Sequence, residues 1–131
     1  MNRHASAVRQ AYTESSIMTA PPERLVVMLY DGAIRFLMQS AEAMRAGARE
    51  RSRERMRRAE AVIDELNLSL DMKYGEIPQG LRSVYLFCKR QIVLANLETQ
   101  PEHLDRVAEL LGDLRDSWAQ IAEGAAVPAS A

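Results

Sequence analysis

Residues 81–97 read LRSVYLFCKRQIVLANL, and this segment is hydrophobic on two opposite faces of a predicted helix. Successive residues of an α-helix are about 100° apart, so apolar side chains collect on defined faces. The first face carries Leu81, Val84, Tyr85, Cys88, Ile92 and Ala95. The opposite face carries Leu86, Phe87, Val93, Leu94 and Leu97 around Arg90. A helix of a small bundle buries one apolar face in the core, so the second face predicts a further partner.

Two amphipathic segments precede this one. The first begins at Pro22, because proline suits the first helical position, and ends at Gly47. The second begins near Ser52, with apolar residues at intervals of three and four, and ends before the turn at residues 73–75. Both carry some apolar residues that point outward, and the sequence places them at Val27, Ile34, Met38, Leu68 and Met72. Since the second and third helices form a hairpin, we expect Leu68 and Met72 to continue the outward apolar face of the third helix.

A fourth helix follows the segment at residues 99–102, which fits a capping box with Thr99 as N-cap and Glu102 reaching back to it. Its apolar residues are Leu104, Val107, Leu111, Leu114, Trp118 and Ile121. They occupy a single face, and Trp118 is predicted to be a core residue. The second apolar face of the third helix is therefore not a general feature of this chain.

The short connections predict the fold class and the domain boundaries. Helices joined by short loops run antiparallel, so we predict an all-α, antiparallel up-down four-helix bundle over residues 20–123. Residues 1–19 have no sustained helical period and are predicted to form a mobile N-terminal arm, in which Val8, Tyr12 and Ile17 are isolated apolar side chains. Residues 124–131 are predicted to be a disordered tail.

Composition limits the possible classes. The chain has 131 residues and a net charge of −1, so no global field attracts it to nucleic acid or acidic lipid. It has no signal-peptide pattern and no stretch of about 18 uncharged apolar residues, which predicts a cytoplasmic protein without membrane insertion. The single cysteine, Cys88, lies on the core face and is predicted to be a buried free thiol.

No pattern of catalytic or metal-binding residues is present. His4 and His103 lack ligands at metal spacing, and we expect His103 to be a solvated residue at a helix start. The chain has no phosphate-binding loop, and no nucleophile has a plausible base nearby. The sequence therefore predicts no enzyme and no cofactor.

Three uses of the surface remain open on these grounds. The outward apolar face can bind a different protein, or it can pair with a second copy in a weak homodimer or a structural bundle. The arginine-rich stretch at residues 45–58 can bind nucleic acid, but it lacks the interleaved aromatic residues that stack on bases, so a solvated loop and helix start is favoured.

Several stretches resemble the family of flagellar secretion chaperones that bind flagellin. The similarity covers roughly residues 8–121. It includes Ala11-Tyr12, TAPPERL at 19–25, MLYDGA at 28–33, AEAVIDELNLSL at 59–70, GEI at 75–77, and Leu111, Leu114, Arg115 and Trp118. Each motif is weak alone, but their order and spacing make the match strong. Pro21 stands where the family usually has a Ser or Thr cap, and Pro78 stands where it usually has Ala.

The resemblance implies a bacterial cytoplasmic chaperone without enzymatic activity, whose ligand is the disordered C-terminal segment of flagellin. It implies that the chaperone prevents premature polymerisation and delivers flagellin to the gate of the flagellar export apparatus. It also implies that the N-terminal arm covers part of the apolar surface in the free protein, and it leaves open an anti-sigma factor or a co-chaperone as a further partner. The residues expected to contact a partner are Tyr12, Ile17, Leu68, Met72, Leu86, Phe87, Arg90, Val93, Leu94 and Leu97.

Overall fold

The computed structural model of the chain describes residues 22–126, which form an all-α bundle. Its helices are α1 (Pro22–Arg45), α2 (Arg49–Leu68), α3 (Glu76–Glu98) and α4 (Pro101–Ala126), with a 3₁₀-helix (Met72–Tyr74) between α2 and α3. Both α1 and α3 pack against α2 and α4, so α1 and α3 lie diagonally opposite each other. The predicted four-helix fold is confirmed. The predicted arm lies outside the described residues, and α4 continues past residue 123.

One continuous core joins the helices. Its fully buried large side chains include Leu37, Ile63, Leu66, Ile92, Leu104 and Leu111. Tyr30 of α1 and Tyr85 of α3 meet across the diagonal, with 2.5 Å between their hydroxyl oxygens. Because burial removes water from both phenols, the pKa of each is raised above its ordinary value. The first face of α3 is therefore core, as its spacing predicted.

The α1–α2 corner is held by two small hydroxyl residues. Ser40 Oγ donates to the carbonyl oxygen of Ser52 at 2.8 Å, and the two Oγ atoms are 3.0 Å apart. Both side chains are buried. Buried hydroxyl groups need partners, and these two satisfy each other. Ser52 lies inside α2, because the helix begins one turn earlier, at Arg49, than we predicted.

The predicted capping box at Thr99 is wrong. Thr99 ends α3 in the left-handed region, at φ 52° and ψ 50°, and α4 begins at Pro101. The amide of Gln100 donates to the carbonyl of Ala95 at 3.1 Å, which closes the last turn of α3. Only two residues connect the antiparallel helices α3 and α4. Thr99 therefore ends α3 and cannot also serve as the N-cap of α4.

Three apolar residues of α1 and α4, namely Val27, Ile34 and Ile121, lie on faces other than those we predicted. Ile34 was predicted to point outward, but it is partly buried and packs against the core. Val27 is buried rather than outward, because it lies one turn before the buried Tyr30 on a helix that packs against both α2 and α4. Ile121 is 53% exposed, because the buried row of α4 steps from Trp118 to Ala122. Trp118 packs against the core but is only half-buried.

Candidate partner-binding surface

The second apolar face of α3 is exposed. We call this surface the outer stripe, and its apolar residues are Leu86, Phe87, Val93, Leu94 and Leu97. Their side chains are between 37% and 74% exposed, and Arg90, among them, is also exposed. These residues were predicted to face away from the core, and they do. Large apolar side chains that adjoin on one helix face form a patch of the kind that binds proteins.

Hydrogen bonds on both sides of α3 fix which way the outer stripe faces. On one side, Lys89 Nζ donates to Asp64 Oδ1 of α2 at 2.7 Å. On the other side, Gln91 Oε1 is 2.9 Å from His103 Nδ1 of α4. Lys89 and Gln91 flank Arg90 in sequence, so both neighbours of Arg90 are engaged with adjacent helices. Arg90 and the outer stripe therefore point away from the bundle.

His103 is not the solvated residue that we predicted. Its side chain is only 13% exposed, and Nε2 lies 2.8 Å from Glu98 Oε1 at the end of α3. The sequence does not reveal this role, because both contacts depend on how α3 and α4 pack. His103 links the two helices beside the stripe. Among residues 22–126, no group of His, Cys, Asp and Glu side chains is arranged to hold a metal ion.

A polar seam between α2 and α3 borders the outer stripe. Arg53 Nε donates to Asn96 Oδ1 at 3.3 Å, one residue before Leu97. Glu60 lies near Lys89 in the same seam, and burial raises the pKa of its carboxyl group, an effect that the lysine partly offsets. The seam is therefore charged and partly desolvated, next to a face that is apolar.

The apolar surface extends to the connection between α2 and α3. Leu68 is 64% exposed, and Met72 in the 3₁₀-helix is also exposed, as predicted. Leu68 lies one turn after Asp64, on the edge of α2 that adjoins α3. Tyr74 and Ile77, on either side of Gly75, are more exposed still. We predicted only a turn for these two residues. The signal that we missed is the presence of large apolar residues beside a glycine turn.

Tyr12 and Ile17, the two partner-binding residues predicted in the arm, lie outside the described residues. The structure therefore gives no position for them relative to the outer stripe.

The thiol of Cys88 is unsuited to nucleophilic catalysis. Cys88 is fully buried, and burial raises the pKa of its thiol to about 11. The thiolate is the reactive form, so this cysteine is inert near neutral pH. No helix of the described chain is long and apolar enough to cross a membrane.

Four of the seven arginines in the arginine-rich stretch contact other groups of the bundle. Arg45 pairs with Asp105 of α4, and Arg58 pairs with Glu54 at 2.5 Å. Arg58 also lies over the ring of Phe36, 5.8 Å from its centroid. These contacts tie α1, α2 and α4 together, which favours a structural role for the stretch.

These features define a class of protein: a helical bundle whose second apolar helix face is exposed and ready for a partner. Comparisons with known proteins identify the family. The family model described as flagellar protein FliS matches residues 4–125. The chain is 33% identical over 110 residues to the flagellar secretion chaperone FliS of Bacillus subtilis, covering 84% of this chain and 82% of that protein.

A second relative supports the same family, and a solved structure supports the fold. The flagellar secretion chaperone FliS of Salmonella typhimurium is 32% identical over 117 residues, covering 88% of this chain and 87% of that protein. A structure described as a flagellar chaperone from bacteria superposes with a TM-score of 0.73 at 21% identity, covering 91% of this chain and 98% of that one. The chain belongs to the FliS family of flagellar secretion chaperones, and it is not an enzyme.

Proposed function

We propose that this chaperone works in the bacterial cytoplasm and binds the disordered C-terminal segment of flagellin on its outer stripe. Bound flagellin is kept from premature polymerisation and is delivered to the flagellar export gate. The observation that carries the proposal is the exposure of five large apolar side chains on one helix that is otherwise anchored in the bundle. An anti-sigma factor or a co-chaperone remains a candidate for a further partner.

The energetics favour a flexible, extended cargo. A disordered segment loses conformational entropy when it binds, so it needs a long apolar contact to compensate. The outer stripe spans residues 86–97, about 16 Å along the axis at 1.5 Å per residue, and Leu68 and Met72 lengthen it toward the α2–α3 connection. Burying apolar area contributes about 25 cal/mol per Å² to the free energy of binding. A surface of this length can therefore hold a peptide without a catalysed reaction and without attraction between charges.

The N-terminal arm fits the same scheme. Its apolar residues Tyr12 and Ile17 can cover part of the outer stripe in the free protein and leave it when flagellin binds. Such a lid lowers the apparent affinity of flagellin by its own docking free energy. Deleting residues 1–17 should therefore tighten flagellin binding by at most about tenfold and increase self-association, since the stripe is uncovered.

The test of the binding surface is a matched pair of substitutions. Leu97 is 74% exposed within the outer stripe, whereas Met38 is 61% exposed on α1, diagonally opposite α3. Leu97→Asp places a charge where the cargo is proposed to lie, and Met38→Asp places the same charge elsewhere. By calorimetry with a synthetic peptide of the flagellin C-terminal sequence, Leu97→Asp should weaken binding at least tenfold and Met38→Asp less than twofold.

Both variants should keep their helicity, because both positions are exposed. Equal weakening by the two substitutions would contradict the proposed surface. Sedimentation tests the alternative, in which the outer stripe pairs two copies of the chain in a homodimer. A stable dimer that Leu97→Asp dissociates, with no peptide binding by either form, would favour self-association as the purpose of the stripe.

A further inference from the structure

Arg90 is a cation at the centre of the outer stripe. Leu86, Phe87, Val93 and Leu94 stand three or four residues away, so they surround it on the helix surface. The only acidic residues of α3 are Glu76 and Glu98, both more than two turns from Arg90 along the helix. The helix itself therefore supplies no counter-charge to this guanidinium.

The rest of the described chain supplies none either. Within residues 22–126, Arg90 makes no ion pair and no side-chain hydrogen bond, whereas the adjacent Lys89 is paired with Asp64. Arg90 is also held outward, because Lys89 and Gln91 on either side of it are bonded to α2 and α4. An unpaired guanidinium thus stands in the middle of an apolar surface.

Covering this surface changes the environment of Arg90. An apolar segment laid over the outer stripe removes water from the guanidinium, and a charge that loses water without gaining a partner opposes binding. A carboxylate on the covering segment reverses that effect, because it can accept two parallel hydrogen bonds from the guanidinium. The aliphatic part of Arg90 meanwhile packs against the neighbouring apolar side chains.

We propose that Arg90 is a specificity-determining residue that pairs with one acidic side chain of the cargo segment covering the outer stripe. This inference rests on the proposed function. It adds a requirement that the apolar surface alone does not impose, namely a carboxylate placed among the apolar residues of the bound segment. Cargo that lacks this carboxylate is discriminated against, because it buries Arg90 without a partner.

Arg90→Met tests the inference, because methionine keeps an unbranched apolar side chain and removes the charged guanidinium with its hydrogen-bond donors. The probe is a synthetic peptide with the C-terminal sequence of flagellin from the same bacterium. Arg90→Met should weaken its binding about tenfold, as expected for loss of a partly desolvated ion pair. Arg106→Met is the matched control, since Arg106 on α4 is also exposed and unpaired within residues 22–126. It should change binding less than twofold.

A double-mutant cycle identifies the acidic partner. Peptides in which each Asp or Glu is replaced in turn by its amide are titrated against the native chain and Arg90→Met. One replacement should weaken binding to the native chain about tenfold and have little further effect on Arg90→Met. Replacing that same residue by lysine should restore binding to Arg90→Glu.

Three other outcomes overturn the inference. If Arg90→Met binds the peptide as tightly as the native chain or more tightly, Arg90 does not pair with the cargo, and the proposed function stands without it. If binding to the native chain is weakened only when the C-terminal carboxylate of the peptide is amidated, Arg90 pairs with the end of the cargo chain and not with a side chain. If the native chain does not bind the peptide at all, the proposed function fails, and this inference fails with it.

Discussion

The buried pair of Tyr30 and Tyr85 gives the sharpest prediction about stability. The hydroxyl groups form one hydrogen bond across the core, and neither residue is more than 2% exposed. Tyr30→Phe and Tyr85→Phe therefore each leave the other tyrosine hydroxyl buried without its partner in this bond.

An unsatisfied buried hydroxyl costs about 1–3 kcal/mol of the free energy of unfolding. We expect a loss of about 2 kcal/mol for Tyr30→Phe and a similar loss for Tyr85→Phe. The double variant removes both hydroxyls and should lose no more than either single variant, about 2 kcal/mol. Urea unfolding followed by far-ultraviolet circular dichroism measures all three values. Strictly additive losses would mean that the two hydroxyls do not interact, and the reasoning would be refuted.

Three further predictions concern the same bundle. Burial raises the pKa of both tyrosines, so their contribution to the free energy of unfolding is fully present below about pH 10 and is lost as the pH rises further. Above that pH, the free energy of unfolding of the native chain should therefore fall more steeply than that of the double Phe variant. Thr99 is a β-branched residue at φ 52°, so Thr99→Gly should raise the free energy of unfolding by about 0.5–1 kcal/mol, and a decrease in urea titrations would contradict the strained cap. Cys88 should react with a thiol reagent only as fast as the native chain unfolds, and rapid labelling at neutral pH would show that the thiol is accessible.

The sequence predicted both faces of α3, because helical spacing alone separates Cys88 and Ile92 from Leu86 and Val93. It failed where a residue's role depends on its neighbours in space. Thr99 is of a residue type that often serves as an N-cap, but the two-residue connection makes it the end of α3. Ile121 stands three residues after Trp118 and so continues the apolar spacing of α4. A helix has 3.6 residues per turn, however, and the buried row passes from Trp118 to Ala122.

The candidate site shows the same division. The apolar residues of the outer stripe followed from periodicity, and so did the central position of Arg90. The contacts that hold this face outward did not, because Lys89–Asp64 and Gln91–His103 join residues that are distant in sequence. His103 was therefore predicted to be solvated, although it anchors α4 to α3.

Photo-crosslinking tests the central claim, that flagellin lies on the outer stripe, most directly. Phe87 is 44% exposed in the stripe, and Phe87→p-benzoylphenylalanine keeps an aromatic side chain there. The same photoreactive residue at Met38, on α1, is the control. Irradiation with full-length flagellin should crosslink position 87 to the flagellin C-terminal segment and leave position 38 unlinked. Crosslinks at position 38 with none at position 87 would contradict the account.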